Sequence, residues 1–184
     1  MSTPETVEWM PRFDGWIAEL AHTPSPRVPK ELVHKHRDEN VFVARVEPAV
    51  EGRTDDLAVQ LYIPPDHPYF FEHPLDHVPG IALIEAGRQA GLVVAHRFYG
   101  LPLEGYSCFI TDLHSSFHTF AELDTPVIGH FYVTDLRMKR GTLVGMTCTG
   151  RYGQRGKHIG SVTGVWNIVP TAVMERLRKR THAQ

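Results

Sequence analysis

Residues 81–100, IALIEAGRQAGLVVAHRFYG, constrain the fold more than any other stretch of the chain. They follow residues 64–80, which hold five prolines in seventeen positions. Proline fixes φ and lacks the N–H, so that stretch can be neither a helix nor a central strand. Beyond it, Ile81, Leu83, Ile84, Leu92, Val93 and Val94 fall on nearly every face of a predicted helix, which implies burial all round. Gly87 and Gly91 lie four apart and share one side. Glycine inside a helix costs about 1 kcal/mol relative to alanine. Two on one side predict a very close neighbour, and a curved sheet is the natural one. The helix is predicted to end at Gly100, ahead of Pro102.

The flanking segments read as strands. VFVARVEPAV and LAVQLYI, separated by the polar turn EGRTDD, predict a hairpin before the helix. SCFITDLHSSFHTF, PVIGHFYVTDLRM, TLVGMTCTGRYG and KHIGSVTGVWNIV predict three or four strands after it. Strands, one buried helix, then strands is the order of an α+β antiparallel sheet wrapped around a helix, not of a βαβ series. At 184 residues the chain fits one domain with tails. The proline-punctuated residues 1–29 read as an N-terminal arm, with a short amphipathic stretch over residues 16–20. Residues 30–170 read as the domain and residues 171–184 as a basic terminal helix and tail.

The net charge of -2 gives no pull toward nucleic acid or anionic membrane. No run approaches the ~20 apolar residues of a membrane span. The N-terminus lacks the pattern of a secretory signal. Cys108 and Cys148 lie in strand-like runs as free thiols. A cytoplasmic protein is expected. The 12 histidines include the close pairs His34/His36, His73/His77 and His114/His118. These fall on mismatched elements without the convergence that zinc ligation needs, so no metal is expected.

Glu85, Arg88 and Gln89 interrupt the apolar helix and project from one side of it. One reading is an ion pair that makes buried charge tolerable. The other is a polar stripe aimed into a pocket, where Glu85 exchanges a proton while Arg88 and Gln89 position an oxyanion, phosphate or carbonyl. The loop before the helix carries His67, His73 and His77. A histidine there facing Glu85 would form an acid–base pair. Gly80 at the helix N-terminus would admit a carbonyl to the free backbone N–H groups. Residues 150–158, GRYGQRGKH, predict a basic hairpin turn in which Arg151 could meet an acidic carrier protein or the phosphates of coenzyme A.

FFEHPLDHVPGIALIEAGRQA resembles the loop and central helix of hot-dog 3-hydroxyacyl-carrier-protein dehydratases. It resembles more closely the A-factor, or gamma-butyrolactone autoinducer, biosynthesis hot-dog family. VHKHRDENVFV and AHRFYGLPLEGYSCFITDLHSSF extend that likeness over roughly residues 27–170. The resemblance implies a hot-dog fold, an active site at a homodimer interface, and Glu85 with Arg88 as the catalytic pair. It places the dehydratase histidine at His73 or His77, and Phe71, Gly80 and Gln89 on the substrate. It implies no bound cofactor; the acyl group would arrive on acyl-carrier-protein phosphopantetheine or coenzyme A. Founding members are similar to two joined repeats, where this chain shows one, so a homodimer would supply the second half. The reactions implied are β-ketoacyl transfer to dihydroxyacetone phosphate, or dehydration or conjugate addition on a 3-hydroxyacyl or enoyl thioester. Thioester hydrolysis and non-catalytic acyl sensing complete the set.

Overall fold

The computed structural model describes residues 26–181; the amphipathic stretch and most of the N-terminal arm lie outside the described residues. In chain order the elements are β1 (Val43–Pro48), β2 (Asp56–Leu61), β3 (His77–Val78), α1 (Gly80–Tyr99) and β4 (Tyr106–Phe117). They continue with β5 (Ala121–Glu122), β6 (Val127–Lys139), β7 (Thr142–Gln154), β8 (Lys157–Pro170) and α2 (Thr171–Thr181). Six strands form one sheet in the order β1-β2-β6-β7-β8-β4, with each neighbouring pair antiparallel. β3 and β5 pair separately and tie the proline-rich loop to the segment after β4. The sequence-predicted hairpin is present as β1–β2, joined by a turn with Gly52 at φ 78°.

Strand alternation sends Leu57, Val59, Phe131, Tyr152, Val162 and Trp166 into one core with Ala82, Leu83, Ala86 and Ala90 of α1. The glycine face of α1 meets this sheet at very short range. A Cβ on Gly87 would lie 2.5 Å from the Tyr152 hydroxyl, and one on Gly91 2.7 Å from the Trp166 indole. The missing side chain at Gly87 opens the helix backbone, and Tyr152 Oη donates to the Leu83 carbonyl at 2.9 Å. Burial raises the Tyr152 phenol far above its ordinary range, so it keeps the hydrogen that it donates. α1 ends where its sequence predicts, with Gly100 left-handed at φ 65° and its N–H on the Ala95 carbonyl.

Among the described residues β4 forms one border of the sheet and pairs on one side only, with β8. Its twelve residues include exposed Leu113 and Phe117. The predicted basic turn over residues 150–158 is shorter than expected. Only Arg155 and Gly156 make the left-handed turn, and the residues on either side belong to β7 and β8. No described helix is long and apolar enough to cross a membrane.

Candidate active site

The polar stripe of α1 faces the segment that precedes β1. Arg88 grips Glu85 with two bonds, Nε to Oε2 at 2.7 Å and Nη2 to Oε1 at 2.8 Å. Gln89 Nε2 donates to the same Oε1 at 3.0 Å. A third donor comes from outside the helix: Lys35 Nζ lies 2.8 Å from Oε1. Burial pushes the Glu85 carboxyl up, but the hydrogen bonds and charge of Arg88, with Lys35 and Gln89, outweigh it and hold the group at about 2. Glu85 is therefore a carboxylate at neutral pH. The cluster is not sealed, because the side chains of Glu85, Arg88 and Lys35 keep 22%, 29% and 26% of their exposure.

Local backbone chemistry explains how Lys35 arrives there. Residues Lys30–Val33 form a 3-10 turn, and His34 closes it in the left-handed region at φ 55° and ψ 47°. The Lys35 N–H returns to the Lys30 carbonyl at 2.9 Å. The turn is docked on α1 by Arg88 Nη2 to the Val33 carbonyl at 3.5 Å and by His34 Nε2 to His96 Nε2 at 3.0 Å. His96 Nδ1 sits 2.8 Å from the Leu101 carbonyl, which can only accept. Nδ1 of His96 must then carry a hydrogen, which leaves its Nε2 facing Nε2 of His34. Burial, His96 and Arg88 all push the His34 imidazolium form down, which favours a neutral His34.

Gln89 is the most buried member of the stripe and the most committed. It is fully enclosed, accepts from the Phe42 N–H at 2.7 Å and donates to the Asn40 carbonyl at 2.8 Å. These bonds satisfy the backbone where the chain enters β1, so Gln89 is a structural bracket with one contact to Glu85. The other sequence-predicted site residues are dispersed. His73 is exposed, and His77 binds Asp76 at 2.7 Å and stacks near Phe120. Among the described residues Glu85 is paired with Arg88, Lys35 and Gln89, and with neither histidine. Phe71 packs partly buried against the core. The space over Gly80 is filled by the Phe117 ring, 2.9 Å from where a Cβ would stand. Arg151 lies on the sheet face turned away from α1, with its guanidinium 5.7 Å from the Tyr132 ring centre. Arg155 spends its charge on Asp124 at 2.6 Å.

Beside the polar cluster a cleft opens between helix and sheet. Gly87 and Arg88 of α1 line it with Ile110 and Leu113 of β4 and Val162 and Trp166 of β8. Arg88 thus joins an apolar cleft at the β4 border to the charged stripe. Among the described residues no group of three or more His, Cys, Asp or Glu could hold a metal ion. Lys35 and His96 were not among the sequence-predicted site residues, and His34 appeared there only as half of the pair His34/His36. Residues 30–37 carry no periodicity that links them to a helix fifty residues on.

A helix held in an antiparallel sheet in this order defines a hot-dog domain. Its likeness to solved structures is one of fold. A proposed thioesterase from Silicibacter sp. TM1040 aligns with TM-score 0.50 and 12% identity over 68% of this chain and 78% of that one. Another, from Lactococcus lactis, aligns with TM-score 0.50 and 13% identity over 70% and 93%. Residues 18–170 match the A-factor biosynthesis hotdog domain, and the chain belongs to that family. The 2-oxo-3-(phosphooxy)propyl 3-oxoalkanoate synthase of Streptomyces virginiae is 40% identical over 70 residues, 38% of this chain and 21% of that protein. The protein of the same name from Streptomyces griseus subsp. griseus is 37% identical over 107 residues, 58% of this chain and 31% of that protein. The chain thus covers less than a third of either relative's length.

Proposed function

We propose that this protein is an acyl-thioester enzyme that transfers a β-ketoacyl group from a carrier-protein or coenzyme A thioester to the hydroxyl of a triose phosphate. The observation that carries the reading is the position of Arg88, which lines an apolar cleft on one side and grips an ionised carboxylate on the other. The apolar lining of the cleft supports contact with the acyl group, and the charged stripe supports a phosphate-bearing acceptor. The names of the Streptomyces relatives, which describe a phosphooxy-propyl ester of a 3-oxoalkanoate, support the same substrate class.

In this mechanism Glu85 takes the proton from the acceptor hydroxyl as its oxygen bonds to the thioester carbonyl carbon. The tetrahedral oxyanion is stabilised by Arg88. Collapse breaks the C–S bond, and the proton passes from Glu85 to the leaving sulfur, giving ester and free thiol. The geometry favours Glu85 alone as the proton carrier over a His73–Glu85 or His77–Glu85 pair. A second copy of the chain pairing along β4 would wall the open side of the cleft. This homodimer is supported by the twelve-residue border strand, whose outer N–H and C=O groups a second strand would satisfy.

The test is incubation with a panel of acyl-carrier-protein thioesters, with and without dihydroxyacetone phosphate, read by intact mass. A phosphate-bearing ester formed only with the acceptor is the expected product. Free acid formed regardless of acceptor, or loss or gain of water on the acyl chain, overturns transfer in favour of hydrolysis or hydro-lyase chemistry. Full activity in Glu85→Gln and Arg88→Ala removes both from the mechanism.

A further inference from the structure

The geometry points to Lys35 as the anchor for the phosphate of the acceptor, and as a latch that the arriving phosphate lifts from Glu85. This rests on the proposed transfer reaction for the identity of the acceptor; the anion site itself rests on the side chains alone.

Two fixed cations, Lys35 and Arg88, meet one carboxylate, Glu85, and leave a surplus of one positive charge in a partly exposed cluster. Arg88 is largely committed: Nε and Nη2 both hold Glu85, and Nη2 also reaches the Val33 carbonyl. Lys35 is not. Its ammonium carries three N–H donors, and among the described residues its charge partner is the single oxygen Oε1 of Glu85. That oxygen also receives Arg88 Nη2 and Gln89 Nε2. Oε1 is thus crowded by three donors, while Lys35 has donors to spare.

The donors differ in how they are held. Gln89 is enclosed and tied to the backbone at residues 40 and 42, and Arg88 is doubly bonded. Lys35 reaches Glu85 through one contact on a flexible four-carbon stem, so it is the member able to swing to another anion without disturbing the rest. A phosphate monoester, with up to two negative charges, competes well for that ammonium. Once Lys35 turns to the phosphate, Glu85 loses one of the groups that depress its carboxyl. Its affinity for a proton then rises when an acceptor is present to supply one. The left-handed turn at His34, docked on His96, fixes the stem's origin and limits the swing to the neighbourhood of Arg88.

The inference is tested by titrating dihydroxyacetone phosphate, inorganic phosphate and unphosphorylated dihydroxyacetone into the protein, with its Lys35→Met and Lys35→Arg variants alongside. Calorimetry gives affinity and amide spectra give location. The wild type is expected to bind both phosphates, in competition, and not dihydroxyacetone, with shifts at Lys35, Glu85 and Arg88. Lys35→Met should weaken phosphate binding about tenfold or more, the value of a charged hydrogen bond, and Lys35→Arg should restore most of it. In turnover, Lys35→Met should raise KM for the acceptor and leave KM for the thioester unchanged. Equal phosphate affinity in wild type and Lys35→Met overturns the inference and leaves Lys35 a simple counter-ion of Glu85. Phosphate shifts that avoid these residues in the wild type overturn it as well, without need of a variant. Lys35-dependent phosphate binding with no transfer from any thioester upholds the anion site while overturning the proposed reaction. Transfer that proceeds with Lys35-independent phosphate binding does the reverse.

Discussion

The two faces of α1 are held by opposite means. Toward the sheet, Gly87 and Gly91 admit the Tyr152 hydroxyl and the Trp166 indole at distances that leave no room for one extra carbon. Away from it, Glu85, Arg88 and Lys35 meet through charge, and each keeps about a quarter of its exposure. Shape closes one face; exchangeable hydrogen bonds hold the other ajar. A helix can present a reactive carboxylate in a fixed direction only if something else, elsewhere on it, tolerates no adjustment.

Removing the proton carrier should give the largest effect on activity. Glu85→Gln is expected to lower the transfer rate about 10²–10⁴-fold, the usual worth of a general base, in single-turnover assays. Its urea midpoint at neutral pH should fall as well, since Arg88 and Lys35 lose the carboxylate they share, and a midpoint equal to wild type would contradict the depressed carboxyl. The glycine face should show its effect in stability. Trp166→Ala is expected to cost about 3–5 kcal/mol of unfolding free energy by leaving a cavity over Gly91. Gly91→Ala alone should cost about 1–3 kcal/mol through overpacking, less up to about 1 kcal/mol of helix propensity. Placed in the Trp166→Ala background, it should become neutral or stabilising, and a purely additive cycle would contradict the packing argument.

Smaller effects separate the faces by pH. The Glu85 carboxyl is held at about 2 against an ordinary 4.5, so the unfolded chain binds the extra proton first. Stability contributed by Glu85 is complete above pH 4.5 and drains as pH falls toward 2. The stability difference between wild type and Glu85→Gln should hold steady above that window, shrink across it as pH falls and vanish near its lower end. The smallest effect concerns the docked turn. The His34 imidazole is depressed from 6.5, so its protonation favours the unfolded chain and stability should decline as pH falls below that value. In His34→Ala thermal unfolding, that part of the decline should be absent.

Much of this was legible in the sequence because it is local. The glycine spacing, the breaker at Gly100 and the interruption of an apolar helix by Glu85 and Arg88 are all contained within twenty residues. They announced a sheet pressed on one face and a charged stripe on another. Lys35 was not legible, since it reaches Glu85 through a left-handed turn at His34 and a contact spanning half a hundred positions. Gln89 was legible as polar but not as a backbone bracket, because its partners at residues 40 and 42 belong to another segment. The histidines of the proline-rich loop were adjacent in sequence to the helix start. The β3–β5 pairing ties His77 to Glu122 in register, and His77 engages Asp76 and Phe120 there, remote from Glu85 in its contacts.

The bond from Tyr152 to the Leu83 carbonyl has a consequence for how this domain can change its chemistry. A helix slipped by one residue turns its side chains by about 100°, which would swing Glu85 out of reach of Lys35. The hydroxyl works as an indexing pin, registering the angular setting of α1 against the sheet through main-chain atoms that no substitution alters. Residues 85 and 88 can therefore be exchanged for other reactive side chains, and each newcomer would inherit the same aim.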